Sequence, residues 1–435
     1  MYPGVIMIDS VLNQGKKAGF SEVEVYREKT EKNEYEQFVD YRADHSVQSD
    51  RLMVRAFWEY GDPVGFSLSN PRMESIKNAF LDVCSLSMPD RIKNYSHLLP
   101  GSVNRLSLDI YDHSINLEDN QQFLHLVETI NEILVAFPGL ILNKIHFSQC
   151  VKKVYLANTR QLKAKYKKTN FNLKLKFSLS DNIIEINRNT TCFRNIDPDK
   201  LISRAYNLLN SLTDNTRINK KVDHFIFSPE ASVFVLNEFS DHFKLGSRDG
   251  SHNLRLSPAL SIVDNPFMNE QSGSVPFDDE GVQKGENRLV EKGVFNQSIS
   301  NLETAFQNNS RSSGNGFRSE NSLFPRVRFA NLHIKPSVIS LNKLMGEINE
   351  GILVSLLKLK LSEKKKYVFS AYGFNFKNGV IADPVHFYFQ TSFVSYFANV
   401  LKVSREIKFF YNTFNIGSPY LLTGCRWKSD NLFEI

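Results

Sequence analysis

Apolar positions recur along this chain with two different periods, and the switches between them outline its elements. Residues Met7–Lys17 carry apolar side chains at helical spacing and close at Ala18-Gly19. Val23 and Val25 then alternate with Glu22, Glu24 and Tyr26, which is strand periodicity. Leu52–Trp58 and Val64–Ser67 flank Gly61-Asp62-Pro63 and predict a hairpin. Helices are predicted over Glu74–Leu86, where Ile76, Ala79, Phe80 and Val83 share a face, and over Gln121–Phe137, which Pro138-Gly139 ends. The period then falls to two across Ile141–Val151, Val154–Asn158 and Asn172–Ser180. In the last of these Leu173, Leu175, Phe177 and Leu179 face one way, and Lys174, Lys176 and Ser178 the other.

Asp197-Pro198 opens a helix through Leu212, and the polar, aperiodic stretch Asp214–Lys221 predicts a boundary between residues 1–220 and 221–435. The second part reads as a strand at His224–Phe227, a helix over Glu230–Phe243 and a loop-rich stretch from Gly246 to Arg326. Two pieces of that stretch, Asn269–Gly273 and Asn308–Glu320, are expected to be mobile. Short strands at Arg328–Ile334, a helix over Leu341–Ser355 and strands at Lys366–Phe376 and Val380–Val385 follow. Helices alternate with antiparallel-looking strands and no βαβ train appears. The expected class is therefore α+β, with two domains of largely antiparallel sheets flanked by helices.

Composition narrows the function. At 435 residues, with 41% hydrophobic and 23% charged side chains, the chain can bury sizeable cores. A net charge of +6 permits an acidic partner without demanding nucleic acid. The four cysteines (Cys84, Cys150, Cys192 and Cys425) form no CxxC pair, which argues against a zinc ribbon or disulfide framework and fits a reducing compartment. The first twenty residues lack a basic region followed by an apolar one. The runs Ile133–Phe137 and Ile352–Leu357 are far short of a membrane span, so a cytoplasmic protein without a membrane partner is expected.

Familiar catalytic signatures fail. Gly65-Phe66-Ser67-Leu68-Ser69 lacks the closing glycine of a nucleophile elbow, Gly314–Ser319 follows no strand, and there is no Walker loop. Lys163–Lys176 reads as the solvent face of an amphipathic strand, with lysines that also discourage edge pairing, and nucleic acid is not the expected partner. Asp278-Asp279-Glu280 admits two readings: a cation or acid–base site, or a turn in which the aspartates accept from local backbone and Gly281 completes the bend. His125, His146, His333 and His386 have no second ligand at helical spacing and are read as core or surface residues.

The segment Ser228–His242, SPEASVFVLNEFSDH, resembles the zinc helix of the TldD/PmbA (TldE) family of metallopeptidases, whose active members carry His-Glu-x-x-x-His. In that resemblance Asn237 stands where the first ligand histidine belongs, Glu238 matches the general base and His242 the second ligand. A carboxamide is a poor zinc ligand beside imidazole. Active relatives also supply a cysteine near the C-terminus, whereas Ser404–Leu422 contains none and Cys425 lies beyond it. Other stretches are similar to the family too: Val263–Pro266, Pro276–Val282, Arg288–Val294, Asn331–Pro336 with Ile348–Val354, and at the N-terminus Glu22–Tyr26 and Val54–Ser69.

The resemblance implies a TldE/PmbA-like subunit whose C-terminal domain carries a degenerate metallopeptidase helix at about 228–243. Glu238 would be an inactive remnant of the base, and Asn237 and His242 degenerate metal positions. The chain would hold no cofactor of its own, with zinc in a TldD-like partner. The heterodimer would cleave unfolded or modified peptides, and pairing of the chain with itself when alone stays open. Two alternatives stay open: an active peptidase with a non-standard ligand set, drawing on Asp249 and His252, and a non-enzymatic peptide-binding scaffold.

Overall fold

The computed structural model describes residues 3–38, 41–59, 63–85, 98–101, 103, 107–213, 216–218, 221–246, 255–283, 285–319, 322–363, 366–429 and 432–435. Its N-terminal part is built on one antiparallel sheet of β1 (Glu22–Phe38), β2 (Arg42–Phe57), β3 (Val64–Ser69), β4 (Ile141–Asn158), β5 (Lys163–Leu179) and β6 (Asn182–Thr190). Their order across the sheet is β3-β2-β1-β4-β5-β6. Four helices cover one face in two pairs. Helices α1 (Pro3–Lys17) and α2 (Met73–Cys84) bury Ile8, Val11, Ile76 and Phe80 against Val23, Val25, Leu52 and Val54. Helices α3 (Gln121–Leu134) and α4 (Pro198–Asn210) bury Phe123, Ile130, Ile202 and Leu209 against Phe147, Phe171, Leu173 and Leu175. Strand alternation sends Tyr26, Met53, Val154 and Leu156 to the opposite face, where Leu162 and Phe277 cover them.

The strands outrun their apolar cores. β1 is predicted only as far as Tyr26, yet it continues through Arg27–Phe38 without an apolar stripe. Cross-strand ion pairs replace that stripe: Arg27–Asp50 at 2.6 Å, Lys152–Glu28 at 2.5 Å, Lys153–Glu31 at 2.9 Å and Lys144–Glu36 at 2.7 Å. Opposite charges facing each other across a ladder support a strand that hydrophobic periodicity does not reveal.

The C-terminal part contains two larger sheets and a two-stranded ribbon. One sheet orders the strands Val294–Phe295, Asn287–Glu291, Ile262–Asp264, Asn331–Ile334, Asn415–Ser418 and Lys408–Tyr411. The other runs Val400–Val403, Leu421–Gly424, His224–Phe227, Glu350–Glu363, Lys366–Lys377, Val380–Thr391, Leu432–Glu434 and Arg426–Ser429, with Thr216–Arg217 paired to Val380–Thr391. The sheets are not purely antiparallel. His224–Phe227 with Glu350–Glu363, and Asn331–Ile334 with Asn415–Ser418, are parallel pairs.

Two sequence expectations are corrected here. The helix predicted over Leu341–Ser355 stops at Glu347; Asn349 takes a left-handed φ of 51°, and Glu350–Glu363 is a strand. Ile352 and Val354 point into one core and Leu353 into another, so the apolar run is a strand buried on both faces. The pieces expected to be mobile are packed only in part: Ser313–Arg318 and Ser272 are buried, while Asn308–Arg311 and Asn269 are exposed. The turn residues Gly61 and Asp62 lie outside the described residues.

Candidate functional site

The helix that carries the degenerate motif, α5 (Pro229–Glu238), starts as its sequence dictates. Ser228 is the N-cap and its Oγ accepts from the Ala231 N–H at 3.2 Å, while Pro229 occupies the first turn. The helix does not continue to Phe243 as predicted. It stops at Glu238, Phe239 leaves helical geometry with φ −99° and ψ 1°, and a separate 3₁₀ turn spans Ser240–Phe243. Asn237 and Glu238 therefore lie in the last turn of α5, and His242 in the next element.

The reason for the break is aromatic packing. Phe239 is fully buried among Tyr367, Phe393 and Phe397, with ring centroids 4.8, 5.6 and 6.1 Å away. The His242 ring stacks on Phe393 at 4.3 Å, and its Nδ1 donates to the Phe239 carbonyl at 3.1 Å. One imidazole does not make a zinc site. Asn237 offers only an amide. The Cys425 thiol donates to the Val222 carbonyl at 2.9 Å, and burial pushes its pKa up to about 12, away from the thiolate that zinc requires. Among the described residues no group of three or more His, Cys, Asp or Glu side chains could hold a metal ion. Asp249 and His252 lie outside the described residues. The described residues around His242 do not by themselves fit zinc.

Asp278, Asp279 and Glu280 settle on the turn reading. Asp278 Oδ1 accepts from the Glu280 and Val282 N–H groups at 3.0 and 2.8 Å, and Oδ2 from Gly316 N–H at 2.8 Å. Asp279 accepts from Arg318 N–H at 2.6 Å. Gly281 completes the bend with φ 82°. Burial and the neighbouring Glu280 charge raise the Asp278 pKa, while its three N–H donors pull against them. With their oxygens taken by the chain itself, these side chains act as braces.

Glu280 extends the bracing into the N-terminal sheet. It accepts from Leu302 N–H at 2.8 Å and lies 3.3 Å from Arg55 on β2. Arg55 also forks onto Glu24 of β1, at 2.9 and 2.8 Å, and Arg318 donates to the same Glu24 carboxylate. A second polar knot lies beside this one. Asp264 accepts from Ala330 N–H, Asn331 N–H and Asn315 Nδ2 at 2.9, 2.8 and 2.7 Å, and Asn415 Nδ2 donates to Asn331 at 2.8 Å. The sequence segments that resemble the family thus converge on one buried polar framework. Arg318, Asn315 and Asn415 are the members that sequence reasoning missed. No local motif marks them, since their partners lie 39, 51 and 84 residues away.

One cavity among the described residues lies away from these side chains. A cleft of about 1040 Å³ is lined by the first turn of α5 (Ser228 and Glu230), by α4 and β6, and by the Lys408–Tyr411 strand. Asn237, Glu238 and His242 do not line it.

Comparison with known proteins agrees with this framework. Residues 252–425 match the PmbA/TldA metallopeptidase C-terminal domain. A metalloprotease of Methanothermobacter thermautotrophicus is 31% identical over 191 residues, covering 43% of this chain and 39% of that protein. One from Archaeoglobus fulgidus is 32% identical over 189 residues, covering 41% and 42%. The matched stretches thus span about two fifths of these relatives. The crystal structure of TldE from Thermococcus kodakarensis superposes with a TM-score of 0.84 at 17% identity, covering 96% of this chain and 98% of that one, so the fold is shared nearly end to end. No helix among the described residues is long and apolar enough to cross a membrane. The likeness is thus to the PmbA/TldA metallopeptidase C-terminal domain in sequence over residues 252–425, and to TldE of Thermococcus kodakarensis in fold over nearly the whole chain.

Proposed function

We propose that this chain is a TldE-like, non-catalytic subunit of a TldD/TldE-type metallopeptidase complex that cleaves unfolded or modified peptides. One observation carries the reading: α5 breaks at Glu238, directly after an asparagine at the first ligand position, and hydrophobic rings fill the space around His242. Glu238 and His242 are remnants in this reading. Zinc would belong to a TldD-like partner, and this chain would form part of the wall along which the peptide lies. Sequence-tolerant binding of extended chains through main-chain hydrogen bonds suits such a wall. The cytoplasm is the expected compartment, and pairing of the chain with itself when alone stays open.

Co-expression with a homologue carrying an intact His-Glu-x-x-x-His tests this. The two chains are expected to co-purify. Cleavage of an unfolded peptide is expected from the pair, abolished by a chelator, and absent from either chain alone. Chelator-sensitive cleavage by this chain alone would overturn the reading and favour an enzyme with an unusual ligand set. Failure of the chains to associate would favour a peptide-binding scaffold.

A further inference from the structure

The cleft carries more positive charge than its own carboxylates neutralise. At its rim the charges are matched: Arg194 pairs with Glu270, and Lys200 lies 2.7 Å from Asp197 in the first turn of α4 beside exposed Asp199. Deeper in, a single carboxylate faces two cations. Glu230 lies 2.8 Å from Arg204 and 3.8 Å from Lys408. Arg204 also sits 4.5 Å above the Phe410 ring, and its Nε, though close to Glu230, is not aligned for a hydrogen bond.

Arg188 on β6 is the unmatched cation. Its Nε donates to the Asn195 carbonyl at 3.3 Å, and among the described residues it has no carboxylate partner. Burial and the nearby Arg204 charge both lower its pKa, so the folded chain holds this guanidinium at a cost. A partly buried cation with unused donors, opening on a cleft of about 1040 Å³, is an anion site awaiting its anion. The rest of the lining mixes amides and hydroxyls, such as Asn187, Asn207 and Ser355, with apolar and aromatic side chains, Phe410 and Tyr420 among them. A small inorganic anion would leave them uncovered, and the volume exceeds what one small molecule needs.

We propose that this cleft binds a carboxylate of an extended peptide, with Arg188 and Arg204 clamping the anion and Phe410 and Tyr420 covering the adjoining apolar residues. The carboxylate is either the C-terminal group or an Asp or Glu side chain. The peptide half of the proposal rests on the proposed function; the anion half rests on Arg188 alone.

Fluorescence anisotropy on the full chain tests it with three labelled, unstructured peptides: a neutral one with an amidated C-terminus, the same sequence as the free acid, and an amidated version with one aspartate. At least one carboxylate-bearing peptide is expected to bind about tenfold more tightly than the neutral one, as a charge-assisted pair warrants. Whichever gains identifies the source of the carboxylate. Arg188→Gln should reduce that ratio to within about twofold and leave the neutral peptide's affinity unchanged. Because it removes an uncompensated charge, it should leave thermal stability equal to or above that of the unaltered chain. Equal affinities for all three peptides, no binding of any, or a ratio that survives Arg188→Gln would each overturn the proposal. No cleavage or partner enters the assay, so its failure is distinct from failure of the subunit reading.

Discussion

Glu24→Gln is expected to destabilise the protein by about 3–5 kcal/mol, the usual cost of removing one partner from a buried ion pair. Glu24 is fully buried on β1 and takes both the Arg55 fork and Arg318. Glutamine keeps the shape but leaves two buried guanidinia facing the Glu280 carboxylate alone. Chemical denaturation at pH 7 provides the check; a loss under about 1 kcal/mol would show that water reaches the cluster.

The same change should alter the acid limb of the stability curve. Burial raises the Glu24 pKa, but the Arg55 and Arg318 charges outweigh it and hold the carboxyl below its ordinary range. Its contribution is therefore present above the ordinary glutamate pKa and is lost as pH falls through the folded-state value. Glu24→Gln should lack that acid-linked loss. Asp264 acts with the opposite sign. Burial pushes its pKa up to about 6 against three donors, so the folded chain binds the extra proton and stability rises as pH falls from about 6 toward the ordinary aspartate value.

Phe239→Ala should also cost about 3–5 kcal/mol, because it empties a fully enclosed ring site lined by Tyr367, Phe393 and Phe397. A loss of that size would mean that the space beside His242 is hydrophobic core. A loss below about 1 kcal/mol would mean that the site collapses readily or is already open, and the packing argument against a ligand pocket would fall with it.

The sequence and the structure agree where period and partner are local. The hairpin of β2 and β3, the capped start of α4 at Asp197-Pro198 and the alternation of Leu173, Leu175 and Phe177 are legible from single segments. Elements stabilised by distant partners are not. Arg27–Gln37 forms a strand through charges contributed by β2 and β4, and Ile352–Val354 is a strand because two separate cores take its alternate faces. The polar stretch 308–320 looks like a loose loop until Arg318 meets Glu24, 294 residues away.

At the candidate site, the residues Asn237, Glu238 and His242 could be named from sequence because they follow a motif. The break at Phe239 could not, since it depends on the rings of Tyr367, Phe393 and Phe397. The cleft was equally hidden. Arg188, Arg204, Glu230 and Lys408 share no motif and meet only because β6, α4, α5 and the Lys408–Tyr411 strand converge.

The zinc content of the untagged, purified chain, read by elemental mass spectrometry, tests the central claim most directly. The account predicts less than about a tenth of an equivalent, because a site with a full ligand set retains zinc through purification and this chain offers one imidazole beside an amide. Close to one equivalent, lost on His242→Ala, would contradict it.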